Sequence, residues 1–83
     1  PFNPSTAIGY GVFRRSRVSL KIYNILGEAV AQLFAGVREP GEHEAVWNAS
    51  GQPSGVYVAE LLTEPFDGPE PAVRLIRKLL YIR

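Results

Sequence analysis

Cysteine is absent from the 83 residues, so no disulfide supports the fold and no thiolate can act as nucleophile or metal ligand. Histidine and aspartate occur once each, as His43 and Asp67. His43 falls mid-strand in "EHEAVW", Asp67 falls in a Pro/Gly-rich hairpin tip, and no Gly-x-Ser-x-Gly elbow occurs, which argues against a hydrolytic triad. Metal chemistry is equally poorly supplied. Glu42 and Glu44 flank His43, but neighbours on a strand point to opposite faces, so only the two carboxylates share one. A calcium site would need several more oxygens. We expect no cofactor and no metal, and no catalysis by this module itself. Charge of one sign is also lacking. Nine Lys and Arg stand against eight Asp and Glu, without the basic excess of a nucleic-acid binder. No apolar run approaches the ~20 residues of a membrane-spanning helix.

What the sequence does hold is turns. Glycine and proline total fifteen, spread between short apolar runs. This composition reads as many short strands joined by turns. Residues 1–83 form one small domain, too short for a second core. Pro1 is not an initiator residue, so the chain is read as the carboxyl-terminal module of a larger protein, with any export signal upstream.

The lead-in "PFNPST" is stiff. Asn3 before Pro4 is pushed toward extended geometry, and the prolines suit an edge or a strand start. Phe2 can pin the segment onto the domain. From Thr6 the chain alternates, with Thr6, Ile8, Tyr10 and Val12 on one face and Ala7, Gly9 and Gly11 on the other. "RRSR" (14–17) reads as a polar turn. Val18, Leu20 and Ile22 then alternate with Ser19, Lys21 and Tyr23. "NILGE" reverses the chain, with Gly27 at positive φ. A third strand covers Val30 to Ala35, "REPGE" turns again, and His43, Ala45 and Trp47 share one face of a fourth. "NASGQPSG" is a loop, "VYVAELL" a fifth strand, and "EPFDGPEP" a long hairpin tip.

The last run, Val73 to Ile82, is ambiguous. Leu75, Ile76, Leu79 and Leu80 fall at helical spacing opposite Arg74, Arg77, Lys78 and Tyr81. Such a basic amphipathic helix could lie on a membrane or in a partner's groove. "EAVAQLFA" (28–35) shares the ambiguity. The surrounding hairpin turns favour strand, and a terminal strand pairing with Gly55–Thr63 would cover an open edge. The predicted class is all-β.

"PFNPST", "VSLKIYNILGEAVAQL", "PGEHEAVWNAS", "PSGVYVAEL" and a closing "RKLLYIR" follow one another in that order. Together they resemble the carboxyl-terminal sorting domains of the type IX (Por) secretion system, found on proteins exported by Bacteroidetes and relatives. The pattern is shared with the immunoglobulin-like domain of the flagellar hook-capping protein. The likeness covers essentially the whole chain. It implies an immunoglobulin-like β-sandwich of about six to seven antiparallel strands. It also implies export across the outer membrane, followed by cleavage or by attachment to the cell surface through lipopolysaccharide. The implied place is therefore secreted or the outer cell surface, and the implied partners are the secretion machinery or outer-membrane surface and the parent protein's upstream domains. The family ends on a strand with a basic finish, which places the sorting contact on Lys78, Leu79, Leu80, Tyr81, Ile82 and Arg83. The proline-rich tip, "TEPFDGPEPAV", is longer than the common family pattern.

The alternative is a structural spacer or glycan-binding accessory module of a secreted polysaccharide-degrading enzyme. Its candidate sugar contacts are Phe66, at the exposed tip, and Trp47, whose alternation favours core packing. Three further features have modest readings. "RRSR" could hold phosphate oxygens but also suits a solvated turn. "NAS" (48–50) matches a glycosylation acceptor but suits turn formation. Glu60 is expected to face solvent or to pair across the hairpin with Arg77 or a neighbour.

Overall fold

The structure, a computed structural model, describes residues 4–82. It is all-β, with six strands among these residues: β1 (Ser5–Val12), β2 (Ser16–Tyr23), β3 (Ala29–Arg38), β4 (Gly41–Asn48), β5 (Gly55–Pro65) and β6 (Val73–Tyr81). Period-two alternation decides which side chains go inward. Ile8, Tyr10 and Val12 of β1, Val18, Leu20 and Ile22 of β2, and Tyr57, Ala59 and Leu61 of β5 are all buried, while their sequence neighbours are not. Trp47 and Ala49 complete the core from β4 and the loop after it.

The strands form two antiparallel layers, a two-stranded sheet β1-β4 and a four-stranded sheet β3-β2-β5-β6. This is the order that strands B-E and C′-C-F-G take in an immunoglobulin-type sandwich. A corner detail agrees with it. The Tyr57 hydroxyl, near the start of β5, donates to the Pro53 carbonyl at 2.5 Å, tying the strand back to the loop that delivers it. "PSGVY" is thus a corner: proline supplies the acceptor and tyrosine reaches back to it.

Two segments that resemble helices are strands for identifiable reasons. In β3 the pairing with β2 slips twice. Leu20 faces Phe34 and Lys21 faces Gln32, while Ile22 faces Ala31 and Tyr23 faces Ala29. Leu33 and Val30 are therefore extra residues in two bulges. Each bulge shifts the alternation by one, so half-buried apolar residues fall at 30, 31, 33 and 34, a spacing of three. β6 is apolar on both faces instead. Leu75 and Leu79 turn inward beside Leu61 and Tyr57, and Ile76 and Leu80 turn outward beside Glu60 and Val56. The expected pairing partner holds: Thr63 faces Val73 and Gly55 faces Tyr81.

"RRSR" is only half a turn. Ser16 and Arg17 already belong to β2, and Ser16, buried at 2% exposure, satisfies its hydroxyl by donating to the Arg14 carbonyl at 2.6 Å. The lead-in residues Phe2 and Asn3 lie outside the described residues. Among those residues no helix is long and apolar enough to cross a membrane.

Candidate functional site

β6 is the edge strand of the larger sheet, held by its full-length antiparallel pairing with β5. Pleating sends Arg74, Ile76, Lys78 and Leu80 to the outside of the sandwich. Leu80 is 70% exposed, and Ile82 beyond the strand is 61% exposed. Val56 and Leu62 of β5 are exposed on the same face. The result is an open apolar surface studded with cations. No described carboxylate pairs with Lys78.

One carboxylate interrupts this surface. Glu60 accepts from Arg74 Nε at 2.6 Å and from the Tyr23 hydroxyl at 3.1 Å. The Arg74 hydrogen bond holds the Glu60 carboxyl below its ordinary range, against the opposing effect of burial, and the Tyr23 hydroxyl adds to it. The same hydrogen bond to Glu60 raises the Tyr23 phenol. Glu60 therefore pairs with Arg74, not with Arg77. Register is the reason: Glu60 stands opposite Ile76, so Arg74 and Glu60 share the outer face, whereas Arg77 stands opposite the buried Ala59 and turns inward.

Of the residues expected to form a sorting contact, Lys78 and Leu80 point outward and Ile82 lies exposed past the strand end. Leu79 and Tyr81 turn inward and pack against the core, Tyr81 lying 6.4 Å from Trp47, centroid to centroid. Those two are structural, so of the described residues 78–82 only Lys78, Leu80 and Ile82 are open to a contact. Arg83 lies outside the described residues.

The glycan candidates separate. Trp47 is 4% exposed and packs at a tilt against Tyr57, ring centres 5.0 Å apart, so it offers no open face to a sugar. Phe66 is exposed, but the Arg15 and Arg17 guanidinium groups lie 5.2 and 5.7 Å from its ring centre. The arginines of "RRSR" are engaged as well. Arg14 pairs with Glu70, and Arg15 pairs with Glu39 at 3.0 Å. Arg14 fastens the hairpin tip, and Arg15 the β3–β4 turn, to the β1–β2 turn, and they do not form an open phosphate cradle.

The His43 ring lies tilted against Tyr10, centres 5.6 Å apart, and donates from Nε2 to the Glu39 carbonyl at 2.8 Å. Among the described residues no three His, Asp or Glu side chains come together as metal ligands. Asn48 Oδ1 accepts from the Ser50 N–H at 2.9 Å, the turn-forming role expected of "NAS". Sequence reading missed the outward apolar residues of β5 beneath β6. The signal was present in the parity of Val56 and Leu62 against Tyr57 and Leu61.

The chain matches no family model, no curated protein and no solved structure.

Proposed function

We propose that this domain is a non-catalytic carboxyl-terminal sorting and surface-attachment module of a larger exported protein. Its mechanism is recognition of a folded sheet edge, with Lys78, Leu80 and Ile82 read by the secretion machinery. The observation that carries the reading is the last strand: an edge strand whose outward face joins exposed apolar side chains to a lysine with no ion pair among the described residues. The ordered sequence pieces that resemble type IX sorting domains support the same reading, and "VSLKIYNILGEAVAQL" among them is a strand, a tight turn and the start of the next strand. A small sandwich whose sequence holds no cysteine suits this role, because its fold does not depend on a disulfide.

The test fuses the 83 residues to an inert reporter behind a signal peptide, in a host that carries the type IX system. Lys78→Ser combined with Leu80→Ser alters only outward side chains. The expected result is export of the parent fusion and periplasmic retention of the double variant, with the circular dichroism of the two domains unchanged. Equal export of both, or retention of both, would overturn the reading. The spacer reading has no observation of its own in its favour, and the glycan reading loses Trp47 to the core.

A further inference from the structure

The two layers differ in width. β1 and β4 cover the inward faces of β2 and β5, but β6 projects one strand beyond that cover. Leu75 turns inward beside the buried Leu61, yet it is 57% exposed, more than the outward Ile76 at 49%. A cleft results, walled by the free edge of β1 and floored by the inward face of β6. It shows as three cavities lying end to end along β1. One of about 470 Å³ joins Thr6 to Leu79 and Tyr81, one of about 460 Å³ joins Gly9 to Leu75 and Arg77, and one of about 290 Å³ joins Val12 to Val73.

The wall is an unused ladder. The Ala49 N–H donates to the Pro4 carbonyl at 3.2 Å, which fixes the phase of the β1–β4 pairing. Bonded and unbonded pairs alternate along an antiparallel ladder. Thr6, Ile8, Tyr10 and Val12 therefore direct their backbone groups to β4. Ala7, Gly9 and Gly11 direct theirs into the cleft, where no described strand pairs with them.

The occupant has a defined width and chemistry. A second copy pairing β1 to β1 about a two-fold axis would drive its own projecting β6 into the layer already filled by β5 and β6. Room remains for one strand, not for a sheet. The inward side chains of an added strand repeat every second residue, matching Leu75, Arg77 and Leu79 below. Arg77 has no ion pair among the described residues. Glu42 lines the same cavity from beside Gly11, so an added carboxylate is favoured at the Arg77 side alone.

We propose that this cleft binds an extended segment of another polypeptide as an added strand. The segment hydrogen-bonds to Ala7, Gly9 and Gly11 and sets a carboxylate over Arg77 between two apolar side chains over Leu75 and Leu79. Main-chain bonds supply the attachment, and the apolar–x–acidic–x–apolar pattern supplies the choice. This site lies on the opposite face of β6 from the sorting surface and does not depend on that reading.

The probe is a capped octapeptide, Thr-Thr-Val-Thr-Glu-Thr-Val-Thr, titrated into the 83-residue chain and followed by amide chemical shift and hydrogen exchange. Saturable binding is expected, with new protection at the Ala7, Gly9 and Gly11 amides. The glutamate peptide should bind about tenfold more tightly than its lysine counterpart, and Arg77→Glu should reverse that order. N-methylation of alternate peptide amides should abolish binding. The proposal is overturned by absence of saturable binding, by protection confined to the outer edge of β6 or β3, or by equal affinity for the two peptides. Self-association that protects the same three amides without peptide would also overturn it.

Discussion

Glu60 keeps a charge on a strand where its side chain is only 12% exposed, and it does so with two partners from neighbouring strands, Arg74 and Tyr23. The Arg74 hydrogen bond is the larger influence in holding its carboxyl below the ordinary carboxylate range. A depressed folded value means that this stabilisation is present above the unfolded carboxylate range and is lost as pH falls through the folded value. Arg74 is 63% exposed, so solvent screens the pair and its weight is that of a surface bridge. Glu60→Gln is therefore expected to cost about 0.5–1 kcal/mol near neutral pH, and the gap should close as pH falls below about 4. Urea unfolding of both proteins at several pH values measures it. A difference that persists undiminished in acid would show that packing, not charge, distinguishes them. Sequence reading had placed Arg77 among the candidate partners because it sits near in the hairpin. Parity alone separates the two arginines, and parity needs the register.

The β2–β3 hairpin shows how an element is closed by few atoms. Asn24 Oδ1 accepts from the N–H groups of Leu26 and Glu28 at 2.9 and 3.0 Å, and the Gly27 N–H donates to the Asn24 carbonyl at 3.0 Å. Gly27 has φ +82, and a side chain there would meet nothing within 4 Å. Gly27→Ala therefore pays only for the left-handed backbone, about 1–2 kcal/mol. Asn24→Ala should cost about 1–2 kcal/mol through the loss of its two accepted bonds. Chemical denaturation should place both variants below the parent with unchanged m-values, and a steeper loss for Gly27→Ala would reveal strain absent from this geometry. The turn was legible in "NILGE", as were β1, β2 and β4 from alternation and β5 from its β-prone composition. β3 and β6 were not separable from helices by spacing alone. The bulges at Val30 and Leu33 turn period two into period three, and the two-faced burden of β6 pairs apolar residues at 75–76 and 79–80. The basic, apolar character of the ending proposed as the sorting contact was legible, but which of its members face outward was not. Leu79 and Tyr81 became structural once β5 set the register.

At the scale of the whole molecule, the smaller layer cannot stand by itself. Two paired strands are marginal in water, and β1 and β4 are joined only through the chain that builds β2 and β3. Yet their inward residues Ile8, Tyr10, Val12 and Trp47 supply much of the core. Lifting this layer would expose those side chains together with Leu20 and Ile22, so it should not open short of global unfolding. One strand should therefore carry two classes of amide. The Ile8 and Tyr10 N–H groups, which face β4, should exchange with the slow rates of Leu20 and Ile22 in β2. The Gly9 and Gly11 N–H groups on the same strand face the cleft and should exchange several orders of magnitude faster, by local access to water. Native-state hydrogen exchange read residue by residue tests this. Uniformly fast exchange along β1 would mean that the smaller layer opens on its own and that the core is shared less evenly than the packing of Trp47, Tyr57 and Tyr81 requires. Uniformly slow exchange would mean that the free edge of β1 is already paired in solution.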